Sequence, residues 1–305
     1  MNRPIVVLGG PTAGGKSRIA LELSVHFPCE IVNADSRQIY RELEIGTGQP
    51  SVEDLQRVPH HLFGFLNPSR QFSVSAYESE AVPIVDQILR RSAVPVLVGG
   101  TGFYIRALLK GTWPVPPADQ KLRKRLKVIE FRRGRSFLHR LLKRLDSAAA
   151  SKIAANDSYR VIRALEIRIQ TGEKSPDLVL SKPDRYKTAR FFVYSPREQL
   201  QKNIRRRIDE MFAKGWVEEV RALLTKYPNF VAFPAAASIG YREIVRLLNG
   251  EIDLESCKEI IFHRTSRYAK IQLTWFRNQD SFLPLSGPQE LHKIVDSVLQ
   301  LRGDS

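Results

Sequence analysis

The stretch IVVLGGPTAGGKSRIALEL, at residues 5–23, restricts the fold of this chain more than any other. Within it, Gly10, Gly15, Lys16 and Ser17 fit the phosphate-binding pattern G-x-x-x-x-G-K-[ST]. An apolar run precedes the pattern and a helical pattern follows it, which is the strand–loop–helix context that such a loop requires. The sequence therefore predicts a parallel α/β sheet with this loop at the carboxyl end of its first strand.

The residues of this loop are the first candidate ligands for phosphate. Backbone N–H groups, the helix N-terminus and Lys16 attract phosphate oxygens, and Ser17 is a candidate Mg²⁺ ligand. The pattern alone does not identify the phosphate compound, because a nucleotide kinase, a GTPase and a transferase that releases diphosphate can all carry it. The candidate binding residues are Gly10, Pro11, Thr12, Ala13, Gly14, Gly15, Lys16 and Ser17.

Strand and helix patterns alternate over residues 1–112. The predicted strands are IVVLG, EIVNADS and VPVLVGGTG, and the helices between them are KSRIALELSVHF and SAYESEAVPIVDQILRR. ARFFVYS, at residues 189–195, predicts a return to the sheet, and mostly helical patterns follow it. We therefore predict an α/β fold with a P-loop NTPase-like core, in which helices flank a parallel sheet.

The positive charge is concentrated between these two sheet regions. The whole chain carries a formal charge of +16, and residues 121–168 contain fifteen Lys or Arg against four Asp or Glu. This segment follows the proline-rich break WPVPPADQ, has helical patterns, and ends in the polar stretch EKSPDLVLSKPD. We predict an inserted all-helical basic domain at 116–185 that binds a polyanion, within a catalytic core formed by 1–115 and 186–305.

Composition excludes several classes of protein. Hydrophobic residues make up 43% of the 305 residues, enough for a buried core, and no apolar run reaches the ~18 residues of a membrane span. The first strand begins so close to Met1 that we expect no signal or transit peptide. Cys29 and Cys257 fit no metal or redox spacing, so we expect reduced thiols in a cytoplasmic protein. For the adjacent His60 and His61 we expect a packing or loop role.

Two further polar residues follow predicted strands. Asp35 ends the second strand and Thr101 ends the third, so both are expected at the same edge of the sheet as the phosphate loop. Taken alone, Asp35 is compatible with a helix N-cap, a Mg²⁺ ligand or a general base. Loop geometry alone also explains Thr101.

Seven stretches together resemble the tRNA dimethylallyltransferases in order and spacing, as far as about Arg277. The sequence departs from the usual pattern of that family at Gly14, where serine is usual, at Ser17, where threonine is common, and at 41–44. At Ile271 the family commonly has a basic residue. The seven stretches are GPTAGGKS, ADSRQIYRELEIGTGQPS, VPHHLF, PVLVGGTGFYIRALL, NDSYRVIRALEI, SIGYREI and AKIQLTWFR.

The resemblance implies transfer of a dimethylallyl group from dimethylallyl diphosphate to N6 of adenosine 37, in tRNAs that read codons beginning with U, giving N6-isopentenyladenosine and diphosphate. It implies that the loop holds the donor diphosphate with Mg²⁺, that Asp35 is the base near the adenine N6, and that Thr101 lines the channel where the substrates meet. We expect a monomer that binds the tRNA anticodon stem-loop. The implied tRNA contacts are Asp35, Ser36, Arg37, Gln38, Thr101, Arg123, Tyr159, Arg160, Val161, Ile162 and Arg163.

Three other functions are the alternatives. An ATP-dependent kinase of small metabolites would explain Lys16 but not the basic segment. An isopentenyltransferase acting on free adenine nucleotides would give that charge no use, and a non-catalytic RNA-binding protein would need neither Asp35 nor an intact loop.

Several aromatic and basic residues have two interpretations. Trp275 and Phe276 are compatible with stacking on a base or with helix packing, whereas Trp216 is expected in the core. Arg264, Arg267 and Lys270 recur at helical spacing, which fits either an RNA-contacting face or a solvated one.

Overall fold

The computed structural model describes residues 4–113, 115–173, 183–279 and 281–303. The chain divides into two compact units, one formed by residues 1–111 and 183–305 and the other by residues 112–182. The predicted function of the segment 116–185 as a polyanion-binding domain stays a prediction. Most of the polar stretch predicted to end it lies outside the described residues.

In the first unit, strands and helices alternate before the second unit, and helices dominate after it. Within the described residues its strands are β1 (Ile5–Gly9), β2 (Cys29–Asn33), β3 (His60–His61), β4 (Val94–Val98), β5 (Thr188–Val193) and β6 (Leu283–Leu285). Its helices before the second unit are α1 (Lys16–Leu23), α2 (Glu44–Thr47), α3 (Val52–Arg57), α4 (Val74–Arg90) and α5 (Gly102–Lys110). Those after it are α10 (Arg197–Ala213), α11 (Trp216–Lys226), α12 (Tyr241–Leu248), α13 (Leu254–Arg277) and α14 (Leu291–Arg302).

The strands form one parallel sheet in the order β3-β2-β4-β1-β5-β6. The register pairs Val7 with Leu97 and Val32 with Leu97, so β1, β2 and β4 end at the same edge. The predicted α/β fold with a parallel sheet is thus confirmed. The sequence patterns did not predict β3 and β6, which pair at the two edges of the sheet.

Both faces of the sheet are covered by helices, which explains why β1 and β4, the two strands at its centre, contain no charged or hydrogen-bonding side chain. Along β1, Val6 and Leu8 pack with α1 and α14, whereas Ile5 and Val7 pack with α4 and α5. All five residues of β1, of β2 and of β4 are buried. Among the described residues, no helix combines the length and the hydrophobicity needed to cross a bilayer.

Helices α10 to α13 form a further apolar cluster around Trp216. This side chain is 1% exposed, which confirms its predicted place in the core. Gly46 and Gly240 let the backbone approach the indole, because a Cβ at these positions would lie 2.0 and 2.1 Å from ring atoms. Helix α13 begins in this cluster and ends against the sheet, where Phe276 is buried.

The second unit is helical where the structure describes it, as the sequence predicted. Asp119, Asp146 and Asp157 accept hydrogen bonds from backbone N–H groups in the first turns of three of its helices. Leu126, Leu138, Leu142 and Leu165 are among the residues of its small core. The helices are α6 (Gln120–Arg133), α7 (Arg135–Leu145), α8 (Ser147–Lys152) and α9 (Ser158–Thr171).

Because this core is small, removing one buried side chain should open the whole second unit more readily. We expect Leu142→Ala, at a side chain with 0% exposure, to lower the free energy of opening of this unit by about 2–5 kcal/mol. Native-state hydrogen exchange of amides in α7 and α9 measures this quantity. Val128→Ala, at a half-exposed position of the same unit, is the control and should change it by less than about 0.5 kcal/mol. Equal losses in the two variants would contradict this account of the core.

Candidate active site

The phosphate-loop residues lie between β1 and α1, where the sequence placed them. Gly10 has a φ of +134°, and a Cβ there would lie 2.6 Å from the carbonyl oxygen of Val193 on β5. Lys16 folds back over the loop and donates through Nζ to the carbonyl oxygens of Gly10 (3.0 Å) and Pro11 (2.7 Å). Lys16 therefore holds the loop in a compact conformation through these two hydrogen bonds. That the loop binds phosphate stays a prediction.

The environment of Lys16 favours an anionic ligand. Burial lowers the pKa of its ammonium group from 10.5 to about 8, although the charge of Asp35 partly opposes the shift and that of Arg207 adds to it. A partly buried cation lacks part of the solvation that it would have in water. A bound anion would restore a favourable environment and stabilise the protonated form.

Gln272 on α13 joins the phosphate loop to the end of β4. Its Oε1 accepts from the backbone N–H of Thr12 (2.9 Å), and its Nε2 donates to the carbonyl oxygen of Gly100 (3.1 Å). The side chain is 4% exposed, and a Cβ at Gly100 would lie 1.8 Å from Nε2. The side-chain amide of Gln272 thus fits only because residue 100 is glycine. Its two hydrogen bonds hold the phosphate loop and the loop after β4 against α13.

The aromatic residues that follow on α13 pack against two more glycines. A Cβ at Gly9 would lie 2.1 Å from Cε1 of Phe276, and one at Gly102 would lie 2.4 Å from the indole of Trp275. Phe276 has 0% exposure, so its ring offers no surface to a base. Helix packing, the second of the two interpretations, is confirmed for Phe276.

Asp35 follows β2 and is held by its neighbours. The buried Asn33 accepts from the N–H of Asp35 (2.7 Å) and donates to its carbonyl oxygen (3.1 Å). Oδ1 of Asp35 accepts from the backbone N–H of Arg37 (2.8 Å), which is a local turn contact of the kind that a cap makes. Among the described residues no hydrogen bond uses Oδ2, so one carboxylate oxygen remains available to a ligand.

Thr101 connects the ends of β4 and β2. Its Oγ1 accepts from the backbone N–H of Ser36 (3.0 Å), and its hydroxyl donates to Oγ of Ser36 (3.3 Å). On α13, burial, with a smaller effect of the charge of Asp35, raises the pKa of the phenol of Tyr268 to about 12. Tyr268 is therefore a neutral hydrogen-bonding group at physiological pH.

One cavity of about 360 Å³ brings the phosphate loop, Asp35 and the C-terminal helices together. Thr12 and Asp35 line it, and the rest of its wall is partly basic and partly apolar. The basic lining residues are Arg37, Arg207, Arg264 and Arg267. The apolar ones include Ile204, Ile208, Met211 and Ile261. A ligand with one anionic end and one apolar end matches this lining.

Arg207 is a residue of the cavity that the sequence patterns did not predict. Its Nη2 donates to the carbonyl oxygen of Thr47 (3.3 Å), and burial lowers its pKa although Asp35 acts in the opposite direction. Helical spacing gives an indication of this place, because position 207 lies beside the apolar stripe formed by Ile204, Ile208 and Met211. Gln272 gives a similar signal, because it lies between the buried Ala269 and Phe276.

In the second unit, two of the predicted tRNA-binding residues are bound to a buried acid. Arg123 donates through Nε and Nη2 to the two oxygens of Glu166 (3.0 and 2.9 Å), and Arg163 donates through Nη1 to Oε2 (2.5 Å). Burial alone would raise the pKa of Glu166, which has 0% exposure, but its hydrogen bonds from Arg123 and Arg163 lower it instead. Both arginines therefore have a structural role, and their contact with tRNA stays a prediction.

The segment Tyr159–Arg163 has side chains of two kinds. Val161 and Ile162 are 1% and 5% exposed and belong to the core of the second unit. Tyr159 is 71% exposed, and the guanidinium of Arg123 lies 5.8 Å from the centre of its ring. Tyr159 and the exposed Arg160 are therefore the members of this segment that present side chains to a partner.

Nearly the whole chain is similar to known proteins. Residues 38–279 match the model of the family described as IPP transferase, and residues 4–63 match one described as isopentenyl transferase. A tRNA dimethylallyltransferase from Symbiobacterium thermophilum is 38% identical over 307 residues, which is 99% of this chain and 95% of that relative.

Two solved structures extend the similarity to the fold. A tRNA isopentenylpyrophosphate transferase from Bacillus halodurans has a TM-score of 0.73 and 31% identity, covering 99% of this chain and 98% of its own. A eukaryotic dimethylallyltransferase acting on tRNA has a TM-score of 0.81 and 25% identity, covering 99% of this chain and 79% of its own.

The pKa of Lys16 predicts how anion binding depends on pH. Below about pH 8 the free protein carries the charge of Lys16, and above it the proton must be taken up on binding, so the affinity for inorganic diphosphate should fall by up to about tenfold per pH unit. Isothermal titration between pH 7 and about pH 10 measures this profile. Lys16→Ala is the control, because its profile contains only the titration of the ligand and of other groups. Identical profiles in the two proteins would show that Lys16 does not titrate at the binding site.

Proposed function

This chain belongs to the IPP transferase family, and on that premise we propose that it transfers the dimethylallyl group of dimethylallyl diphosphate to N6 of adenosine 37, in tRNAs that read codons beginning with U. The observation that carries the proposal is the shared cavity, which is lined by Thr12 of the phosphate loop, by the carboxylate of Asp35 and by apolar side chains. Prenyl transfer requires a binding site for diphosphate, a proton acceptor and an apolar surface for the prenyl group, and this cavity combines the three.

The donor occupies the phosphate loop and the apolar wall in this proposal. Lys16, the backbone N–H groups of the loop and the start of α1 hold the diphosphate, whose negative charge grows as its bond to the allylic carbon breaks. The apolar wall from α10 and α13, with Ile204, Ile208 and Ile261, receives the five-carbon group. In this proposal the loop holds the diphosphate of the prenyl donor, and no hydrolysis of ATP is required.

Asp35 is the proposed proton acceptor. The exocyclic amine of adenine is a poor nucleophile because its lone pair is delocalised into the ring, so removal of its proton as the C–N bond forms assists the attack. A positioned base of this kind is worth about 10²–10⁴-fold in rate. Oδ1 of Asp35 keeps the carboxylate oriented through the N–H of Arg37, and the neutral Tyr268, with a pKa of about 12, is no competitor as a base at pH 7.

The residues at the start of α1 are compatible with Mg²⁺. The hydroxyl of Ser17 is an oxygen donor on an exposed residue, and the oxygens of the bound diphosphate are the other ligands that this hard cation prefers. When bound, Mg²⁺ would neutralise part of the charge on the leaving diphosphate. We further propose that the protein acts as a monomer in the cytoplasm.

The experiment that tests the function locates the transferred group. The protein is incubated with Mg²⁺, labelled dimethylallyl diphosphate and an anticodon stem-loop with adenosines at positions 36, 37 and 38, and the RNA is then digested and analysed. Label on N6 of the central adenosine is expected. Label found only on a free adenine nucleotide would favour an isopentenyltransferase that acts on such nucleotides. In a binding measurement, a higher affinity for ATP than for dimethylallyl diphosphate would favour a kinase.

Asp35→Asn separates the three roles that the sequence left open for this residue. Asparagine can still accept from the N–H of Arg37 and caps about as well, so we expect normal folding and normal binding of both substrates. An amide cannot take the proton, so single-turnover transfer at saturating donor, tRNA and Mg²⁺ should fall at least about 10²-fold. Recovery at higher Mg²⁺ would instead identify a metal ligand, and an unchanged rate would leave only the cap.

Arg160→Glu tests the contact of the second unit with tRNA. Arg160 is exposed and has one weak ion pair with Asp157 (3.4 Å), so its reversal should spare the fold, raise the apparent KM for tRNA and lower the salt slope of binding by about 1. Reversal at Arg123 or Arg163 would place a carboxylate against the buried Glu166 and would test folding instead. Arg90→Glu, at the exposed end of α4, is the matched control. A KM equal to that of the control would argue against this contact.

A further inference from the structure

One side of α6 combines exposed positive charge with exposed apolar surface. At 3.6 residues per turn, seven of its residues occupy a single continuous side of the helix, and all seven are exposed. We define the outer face of α6 by these residues: Lys121, Lys124, Arg125, Lys127, Val128, Phe131 and Arg132. The opposite side carries Leu126, which is 3% exposed and belongs to the core of the unit.

The five cations of the outer face have no ionic partner among the described residues. Five of the acids that the structure describes in the second unit are engaged elsewhere. Glu166 binds Arg123 and Arg163, and Glu130, the one acid of α6, accepts from the hydroxyl of Ser158 (2.7 Å). The aspartates at the helix starts accept from backbone N–H groups. The charge on the outer face is therefore free to bind an external anion.

Phe131 is exposed in the middle of this charge. Its side chain is 92% exposed, the largest value among the exposed hydrophobic side chains of the described residues, and Val128 one turn earlier is 50% exposed. The ring contributes nothing to the core, so the fold of the unit does not require it. A planar aromatic ring among cations is the combination that proteins use to stack on unpaired bases while binding the backbone next to them.

We propose that the outer face of α6 binds RNA, with its lysines and arginines on backbone phosphates and Phe131 stacked on an unpaired base. The proposal rests on the proposed function, which makes a tRNA loop the RNA in question. A second copy of the chain is disfavoured as the partner, because two such faces would bring like charges together. A regular duplex is disfavoured as well, because its bases are already stacked and leave the ring no partner.

The ring is tested by four variants at one position. We expect Phe131→Ala and Phe131→Leu to weaken binding of the anticodon stem-loop about tenfold, in the range that loss of one stacked base gives. Phe131→Trp and Phe131→Tyr keep a planar ring and should bind within about twofold of the parent protein. Full binding by Phe131→Leu would mean that apolar surface alone matters, and full binding by Phe131→Ala would mean that the ring has no part; either result overturns the proposal.

The cations are tested by the salt dependence of the same binding. Lys124→Gln with Lys127→Gln should lower the slope of log affinity against log salt by roughly 1.4–1.8 for two lost phosphate contacts, whereas Phe131→Ala should leave the slope unchanged. Arg90→Gln, at an exposed arginine of the other unit, is the control and should change neither quantity. An unchanged slope in the double variant overturns the proposal.

Transfer of label to the stem-loop by each variant, at saturating RNA, separates this proposal from the function itself. Variants that bind more weakly but transfer normally at saturation support the proposal. If the parent protein transfers the prenyl group and every variant binds like it, the outer face is not used while the proposed function stands. If the parent protein neither binds nor modifies the stem-loop, the proposed function and this inference both fail.

Discussion

The buried amide of Gln272 is the contact on which the rest of the site depends. It presents one acceptor and one donor, and each is satisfied by the backbone of a different loop, at Thr12 and at Gly100. Neither an apolar side chain nor a charged one could satisfy both loops at this depth, because a buried polar group left without its partner costs about 1–3 kcal/mol. The relative position of the phosphate loop and the end of β4 is therefore set by a helix that comes more than 170 residues later.

The sequence predicts those parts of the fold and site that local patterns encode. The buried strands and the loop from Gly10 to Ser17 follow from apolar runs and glycine spacing, and Asp35 and Thr101 follow from their places after strands. Helical spacing places Gln272 and Arg207 next to buried positions, but it does not identify their partners, which are brought to them only by the tertiary fold. The edge strands β3 and β6 span two and three residues, too few for a period to show.

The number of positive charges in this chain does not by itself indicate which side chains can bind a polyanion. The basic segment contains cationic side chains of two kinds, and composition cannot separate them. Arg123 and Arg163 bind a carboxylate with no exposed surface and act as internal supports of the second unit. The cations of the outer face of α6 lack such a partner among the described residues, so they are able to bind an external anion. The partner of each cation, rather than the net charge of +16, thus determines which side chains can bind a polyanion.

The strand order has a consequence for the way the chain acquires its shape during synthesis. β1 lies between β4 and β5, and its pairing of Ile5 with Thr188 joins residues on either side of the whole second unit. While a ribosome is still translating the basic helices, one hydrogen-bonding edge of β1 has no strand beside it, and an open edge invites pairing with foreign chains. The nascent protein therefore passes through an interval, before β5 emerges, in which this edge of β1 is unpaired and open to aggregation.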